Sequence, residues 1–295
     1  MKLSDLKIIA AISMLIDHCA YVWGCLSAPS GLMNALHMFG RTSYPLFCFC
    51  LATGWKKTHD KQAYYTRLMA CAALSQIPFS IVFSSLPAAK AGRALERSFV
   101  FSCDGPILCA GILCAASIIL IFRKSSKSLP AYAAAIITCT LPALRLSWGN
   151  ICFLSPDLNV IYTFLIALGI IHAVDLVTDS KGIPASSLLL IAAAASALYF
   201  MGKRVDYGLF GIALIIILYF LPDLPLAAGV CIALWGVAIY GLHNGNWTNA
   251  LANILPSIII CLYNGMQGRN DKAFKLFYYI FYPAHLALLG LIFLI

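Results

Sequence analysis

The feature that most limits what this chain can fold into is the recurrence of long apolar runs. About 20 residues are needed to cross a bilayer as a helix. Eleven runs of roughly that kind can be drawn, near 6–26, 34–54, 63–86, 99–122, 130–147, 157–177, 186–201, 206–221, 225–242, 250–264 and 274–294. Short connections with turn signals separate them: "SAPSG", "LPAAKAG", "KSSKSLP", "TDSKGIP", "LPDLP" and "YNGMQGRND". The runs do not alternate with period two, which argues against an all-β barrel. Of the 295 residues 62% are hydrophobic and only 11% are charged, far from the balance of a soluble domain. The expected fold is an all-α polytopic membrane protein, a bundle of about 10–11 transmembrane helices forming one integral membrane domain over 1–295. The runs 130–147, 186–201, 206–221 and 250–264 are the shortest, and merging one pair would change the parity downstream.

Net charge is +9, and no basic patch is interleaved with aromatics, so nucleic acid is a poor partner. The charge reads better by side. With the N-terminus in the cytoplasm, 13 Lys and Arg fall on the inner side and 6 on the outer, with Arg41 inside a span. That bias supports the N-in orientation and an anionic inner leaflet as neighbour. The 12 cysteines lie mostly inside apolar runs without a CxxC, and are expected to act as small hydrophobes. The six histidines lack metal-ligand spacing, so no metal is expected. His37, His59, His172 and His243 fall near run ends or in loops, where solvated roles are the default. The first run contains "MLIDHCA". Asp17 and His18 would break the apolar core of a signal peptide, so a retained helix is expected.

Those two residues introduce a pattern. At 1.5 Å per residue, His18 lies about 18 Å from the inner end of its span, Arg41 about 20 Å, Gln76 about 20 Å and His285 about 17 Å. Four helices thus put their most polar residue at one depth. Ionisable groups there are costly and usually face a bundle interior or a water-filled cavity. Each taken alone also fits a satisfied structural hydrogen bond. Lys7 precedes His18 by 11 residues, three helical turns, so the two share a helix face. A cation at the mouth suits a phosphate-bearing ligand; it also suits a lysine snorkelling to headgroups. Asp17 points about 100° away from His18, and a buried ion pair with Arg41 is the expected partnership.

The segments "DLKIIAAISMLIDH", "GRTSYPLFCFCLATG", "SQIPF", "LNVIYTF", "DYGLFGIALIIILYF", "LYNGMQG" and "FYYIFYPAH" occur in that order from residue 5 to 285. Together they resemble the TraX family of integral membrane proteins, linked to N-terminal acetylation of conjugative pilin, within a broader group of transmembrane acyltransferases. Some members of that group carry a basic residue ten positions ahead of a first-helix histidine, a pattern that Lys7 and His18, eleven apart, resemble. The stretch 88–156 is longer than the family pattern and is expected to add a helical hairpin containing Asp104 and Arg145, ending just before Asp157.

The resemblance implies acetyl-CoA as a co-substrate bound from the cytoplasm, and a protein of the bacterial inner membrane. Lys7, Lys56, Lys57 and Arg67 would meet its phosphates, with Tyr263 and Asn264 on the same side. His18 would be general base on an acceptor amine or hydroxyl. Arg41 or Gln76 would stabilise the oxyanion or place the thioester. His285 would be a second acid–base group, and Asp17 would hold the helix pair. Asn159, Asp206 and Tyr207 would line the acceptor's route, although helix-cap or packing roles fit them as well. An acetylated His18 and direct transfer are equally consistent. The acceptor stays open between a pilin-type N-terminus, a glycan hydroxyl and a small amine. Two other classes remain, a transporter with a midplane Asp/His/Arg site and a non-enzymatic scaffold.

Overall fold

The computed structural model describes residues 1–26, 31–85, 98–122, 129–178 and 185–294. Its elements are α1 (Leu3–Leu26), α2 (Gly31–Gly40), α3 (Ser43–Lys57), α4 (Lys61–Ser80), a π-helical turn (Ile81–Ser85), β1 (Phe99–Cys103), α5 (Gly105–Phe122), α6 (Leu129–Thr140), β2 (Leu144–Trp148), β3 (Ile151–Leu154), α7 (Val160–Thr178) and α8 (Ala185–Met201). They continue with α9 (Gly208–Phe220), α10 (Pro225–Gly236), a second π-turn (Val237–His243), α11 (Trp247–Ala252), α12 (Ile254–Cys261) and α13 (Lys272–Leu294). Among the described residues five helices are long and apolar enough to cross a membrane, at Leu3–Leu26, Lys61–Ser85, Val160–Thr178, Pro225–His243 and Lys272–Ile292. Five shorter apolar helices accompany them. The protein is an all-α polytopic membrane protein with one small sheet.

Three expected runs have a different interior. The run 34–54 breaks at Arg41 and Thr42, because Arg41 N–H bonds the His37 carbonyl and Thr42 N–H the Phe39 carbonyl, closing a turn after Gly40. The start of 99–122 and the end of 130–147 are strands. "FVFSC" and "LRLSW" are rich in residues that favour a pleated surface, and "LRLSW" alternates with period two. The order is β1-β2-β3, antiparallel throughout, with Phe99 opposite Trp148 and Phe101 opposite Leu146. The segment expected as a bare helical hairpin is therefore a hairpin, α5–α6, mounted on a sheet. The connection "LPAAKAG", nearly all of "TDSKGIP" and of "SAPSG", and most of "KSSKSLP", with Lys90, Arg93, Arg97, Arg123, Lys124, Lys127 and Lys181, lie outside the described residues.

The chain divides into two compact units. The first comprises Met1–Lys57 and Leu214–Phe281, the second Thr58–Ala213 and the chain from Tyr282 onward. In the first, α1 packs on α2 and α3, and α10 packs on α12. The approach of α1 to α2 is close because Gly40 faces Asp17; any Cβ at residue 40 would collide with that side chain. Along α1, Ile8, Ile12, Leu15, Trp23 and Leu26 form an exposed apolar stripe, while Leu3, Leu6, Ala10 and Met14 are buried. This is the division expected of a helix with one face to lipid and one to protein.

In the second unit α4 packs on α6 and α7, and α5 packs on α8. Gly111 lets α5 lie against the backbone of α6 at Cys139. Hydroxyls tie the helices: Tyr65 donates to the Leu165 carbonyl (2.9 Å), Thr138 to Met69 (2.9 Å) and Tyr162 to Thr138 (3.1 Å). Pro78 sits inside α4 and removes one backbone donor; the π-turn Ile81–Ser85 follows directly.

Candidate functional site

In the first unit the helix starts converge at one end. The Met1 amine donates to the Leu262 carbonyl (2.6 Å) and Asn264 N–H to the Met1 carbonyl (2.9 Å). Leu3 and Ser4 N–H bond the Met266 and Gln267 carbonyls, so α1 begins on the loop that feeds α13. Lys57, in the last turn of α3, reaches the same loop, with Nζ 3.4 Å from the Tyr263 hydroxyl and 3.5 Å from the Gly265 carbonyl. Both partners are neutral, and among the described residues Lys57 forms no ion pair. Lys56 is paired with Asp223 (2.7 Å) and also donates to the Leu221 carbonyl (3.0 Å). Four residues expected on the coenzyme side, Lys56, Lys57, Tyr263 and Asn264, therefore belong to one end of this unit. Lys7 stands four residues into α1, about 6 Å along the axis. Arg67 belongs to the other unit, on the exposed side of α4.

Higher on α1, Asp17 accepts or shares a hydrogen bond with His37 Nδ1 at 2.9 Å. This corrects the expected Asp17–Arg41 pair. Arg41 lies in the turn just past α2, and its guanidinium carbon stands 5.8 Å from the Tyr240 ring centroid. Tyr240 leans on Trp235 (5.7 Å), and Trp235 on Tyr44 (6.1 Å). The π-turn at 237–243 supplies Tyr240, a use to which such turns are often put. His18 and Arg41 each adjoin one partner of the Asp17–Gly40 contact. His37, Tyr240 and Trp235 were missed. His37 was placed in solvent for its position near a run end, and no spacing in the sequence couples residue 41 to 240.

The second unit holds the other half of the expected set. Gln76 and Asn159 are buried, at 1% and 0% exposure, and bonded to each other. Asn159 Nδ2 donates to Gln76 Oε1 (2.9 Å) and to the Ala72 carbonyl (2.9 Å). Gln76 Nε2 donates to the Asp157 carbonyl (2.8 Å) and to Ser80 Oγ (3.4 Å), and Ser155 N–H reaches Ser80 Oγ (3.0 Å). Both amides spend their N–H groups inside the protein, clamping the 155–159 segment to α4. That segment holds the next one: Leu158 N–H bonds the Arg204 carbonyl (2.8 Å), Asp206 N–H the Leu158 carbonyl (3.1 Å), and Thr163 Oγ1 the Asp206 carbonyl (2.6 Å). Asp206 Oδ1 accepts from Tyr207 N–H (3.1 Å), and Tyr207 has φ 62°, followed by Gly208 at φ 54°. Such a left-handed pair is unusual for a tyrosine and fixes its exit from the strap. Gln76, Asn159, Asp206 and Tyr207 are thus brought together.

His285 is 6% exposed, one turn after Tyr282, with ring centroids 5.6 Å apart. Tyr282, buried and unforeseen, makes a backbone hydrogen bond with Val160 and lies in electrostatic range of Asp206 and Cys71. Eight residues on, Gly290 meets Ile81 and Val82.

Comparison with known proteins fits this arrangement. The family described as "TraX protein" matches residues 2–151 and 149–293. The chain belongs to the TraX family. A relative named "Probable fimbrial assembly protein FimC, serogroup H1", from Dichelobacter nodosus, is 25% identical over 287 residues, covering 97% of this chain and 93% of its own. No solved structure matches the chain. The family match runs through both units, so the α1 residues of the first and the α4, α7 and α13 residues of the second all lie within it.

Proposed function

We propose that this TraX-family protein is a membrane-embedded acetyltransferase of the bacterial inner membrane. It would move an acetyl group from cytoplasmic acetyl-CoA to an amine, by family default the N-terminal amine of a pilin-type protein. The observation that carries the reading is the basic end of the first unit at the foot of α1. There, among the described residues, Lys57 bonds the neutral Tyr263 hydroxyl and Gly265 carbonyl, on the loop that also takes up the Met1 amine and Asn264. Clustered cations held by neutral partners suit a ligand that brings its own negative charge. Coenzyme A supplies that charge in its phosphates. Support for the acceptor comes from the family and from the relative named for fimbrial assembly.

Lys7 continues the positive end into the span. His18 lies 11 residues further along the same face, about 16 Å. In the reaction the acceptor nitrogen bonds to the acetyl carbonyl carbon and the carbon–sulfur bond breaks. His18 takes the proton from the nitrogen, and the thiolate departs and gathers a proton. Arg41, turned toward the level of His18, stabilises the oxyanion. Asp17 acts as a positioning residue through His37. Within the second unit Gln76 and Asn159 hold the segment on which Asp206 and Tyr207 are fixed, and His285 is a buried acid–base candidate of that unit.

The test is acetyl-CoA binding and thiol release by purified protein in lipid nanodiscs, beside His18→Ala. Wild type is expected to bind and slowly hydrolyse the thioester, while the variant binds and does not turn over. Absence of binding by folded wild type would overturn the acetyltransferase reading.

A further inference from the structure

The sheet of the second unit lies beside the end of a membrane span. Cys152 N–H donates to Ser85 Oγ (2.8 Å), and Ser155 N–H donates to Ser80 Oγ (3.0 Å). Both serines belong to the last turns of the apolar helix Lys61–Ser85. Its 25 residues rise about 37 Å, against about 30 Å of hydrocarbon, so Ser85 stands in the headgroup zone. Cys152 pairs with Ser147, and the next row outward is Phe99, Trp148 and Ile151. That row is level with Ser85 or just beyond it. Phe101, opposite Leu146, is two strand residues nearer the bilayer centre, about 7 Å.

Register gives the sheet two unlike faces. Cross-strand partners share a face, so Phe99 and Phe101 stand with Trp148 and Leu146. Phe99, Phe101 and Trp148 are 63%, 60% and 61% exposed, and the Phe99 and Trp148 rings meet edge to face at 6.4 Å. The opposite face carries Ser102, Ser147 and the exposed Arg145. Arg145 and Asp157, which is also exposed, both lie in electrostatic range of Cys152. Aromatic rings are therefore uncovered on one face, and polar groups collect on the other.

The uncovered face continues an apolar surface. Asp104 joins β1 to α5, whose exposed Cys109, Ile112 and Leu120 form a stripe of the kind that faces lipid. β1 is also an edge strand with no charge, proline or bulge, the usual guards against unwanted pairing. An open edge is not tolerated in hydrocarbon, where its N–H and C=O groups find no partner. At headgroup level water and lipid oxygens supply those partners, and aromatic side chains are enriched there.

We propose that the face bearing Phe99, Phe101 and Trp148 is a lipid-contact surface, seating the sheet in the phospholipid headgroup zone at the Ser85 end of the span. This surface is separate from the acetyl-transfer chemistry and does not depend on it.

Photo-crosslinking of the full chain in phosphatidylcholine vesicles tests it, with p-benzoylphenylalanine placed singly at residues 101, 102 and 112. All three positions are exposed, so the fold is expected to tolerate each change. After irradiation, intact mass should show one added phospholipid at Phe101, in a yield close to that at Ile112 on the α5 stripe. At Ser102, on the polar face, the yield should be several-fold lower. Equal yields at Phe101 and Ser102 would overturn the proposal. So would a lipid adduct at Ile112 with none at Phe101. A crosslink from Phe101 to a second chain in place of lipid would give the face to self-association and sink the lipid surface.

Discussion

Asp17 and His37 share a 2.9 Å hydrogen bond across α1 and α2, three residues from the point where Gly40 lets the two helices touch. The bond and the glycine act on one place. Together they fix the level at which His18 and Arg41 stand.

Enlarging residue 40 should therefore spread the pair. Gly40→Val forces a branched side chain against Asp17 with no room for it. Overpacking of this sort costs about 1–3 kcal/mol. Denaturant titration in detergent should register that loss, and turnover should fall further than stability alone accounts for. Unchanged stability would mean that α1 and α2 separate without cost.

The Asp17–His37 bond makes its own prediction. His37→Asn keeps a donor and should preserve most of the stability that His37→Leu loses. The expected loss for His37→Leu is about 1–3 kcal/mol, the cost of stranding a half-buried carboxylate. A double-mutant cycle with Asp17→Asn checks it, since partners in contact couple by about 0.5 kcal/mol or more.

Gln76 and Asn159 should behave as one unit. Each truncation to Ala strands the other amide among Ala72, Asp157 and Ser80. Each single change is expected to cost about 1–3 kcal/mol. The double variant should cost clearly less than the two added together. Additive losses in thermal unfolding would argue that the clamp on 155–159 is held elsewhere.

Lys57→Gln should weaken coenzyme A binding several-fold and flatten its dependence on salt, because exposed charge attraction is screened over about 8–10 Å at ordinary ionic strength. Titration calorimetry at two salt concentrations reads both effects. The fold should be unaffected, since Lys57 holds only long contacts to neutral oxygens.

At the start of α13, Asp271 caps the helix, accepting from Phe274 N–H at 2.8 Å. The Arg269 guanidinium hydrogen-bonded to it is the largest influence holding its carboxyl below the ordinary 3.8. A depressed carboxyl contributes stability above its unfolded value and loses it as pH falls through the folded one. The first turn of α13 should thus be protected at neutral pH and fray below 3.8. Amide exchange at Phe274 across that range checks the sign, and Asp271→Ala should abolish the pH dependence.

The apolar runs were legible because a bilayer imposes length and composition on any helix that crosses it. The ordered segments from "DLKIIAAISMLIDH" to "FYYIFYPAH" carried the family. The three strands were not foreseen, because they lie inside runs whose length and apolarity match helices. What no spacing encoded was partnership. Asp17 binds His37 because Gly40 sets where α2 meets α1, and Arg41 finds Tyr240 because a π-turn 200 residues later presents that ring. Gln76 meets Asn159 for a similar reason: buried amides must satisfy each other once packing has excluded water. Depth along a helix is a local quantity that the sequence fixes residue by residue; which face meets which neighbour depends on contacts between distant segments, and tertiary packing alone decides it.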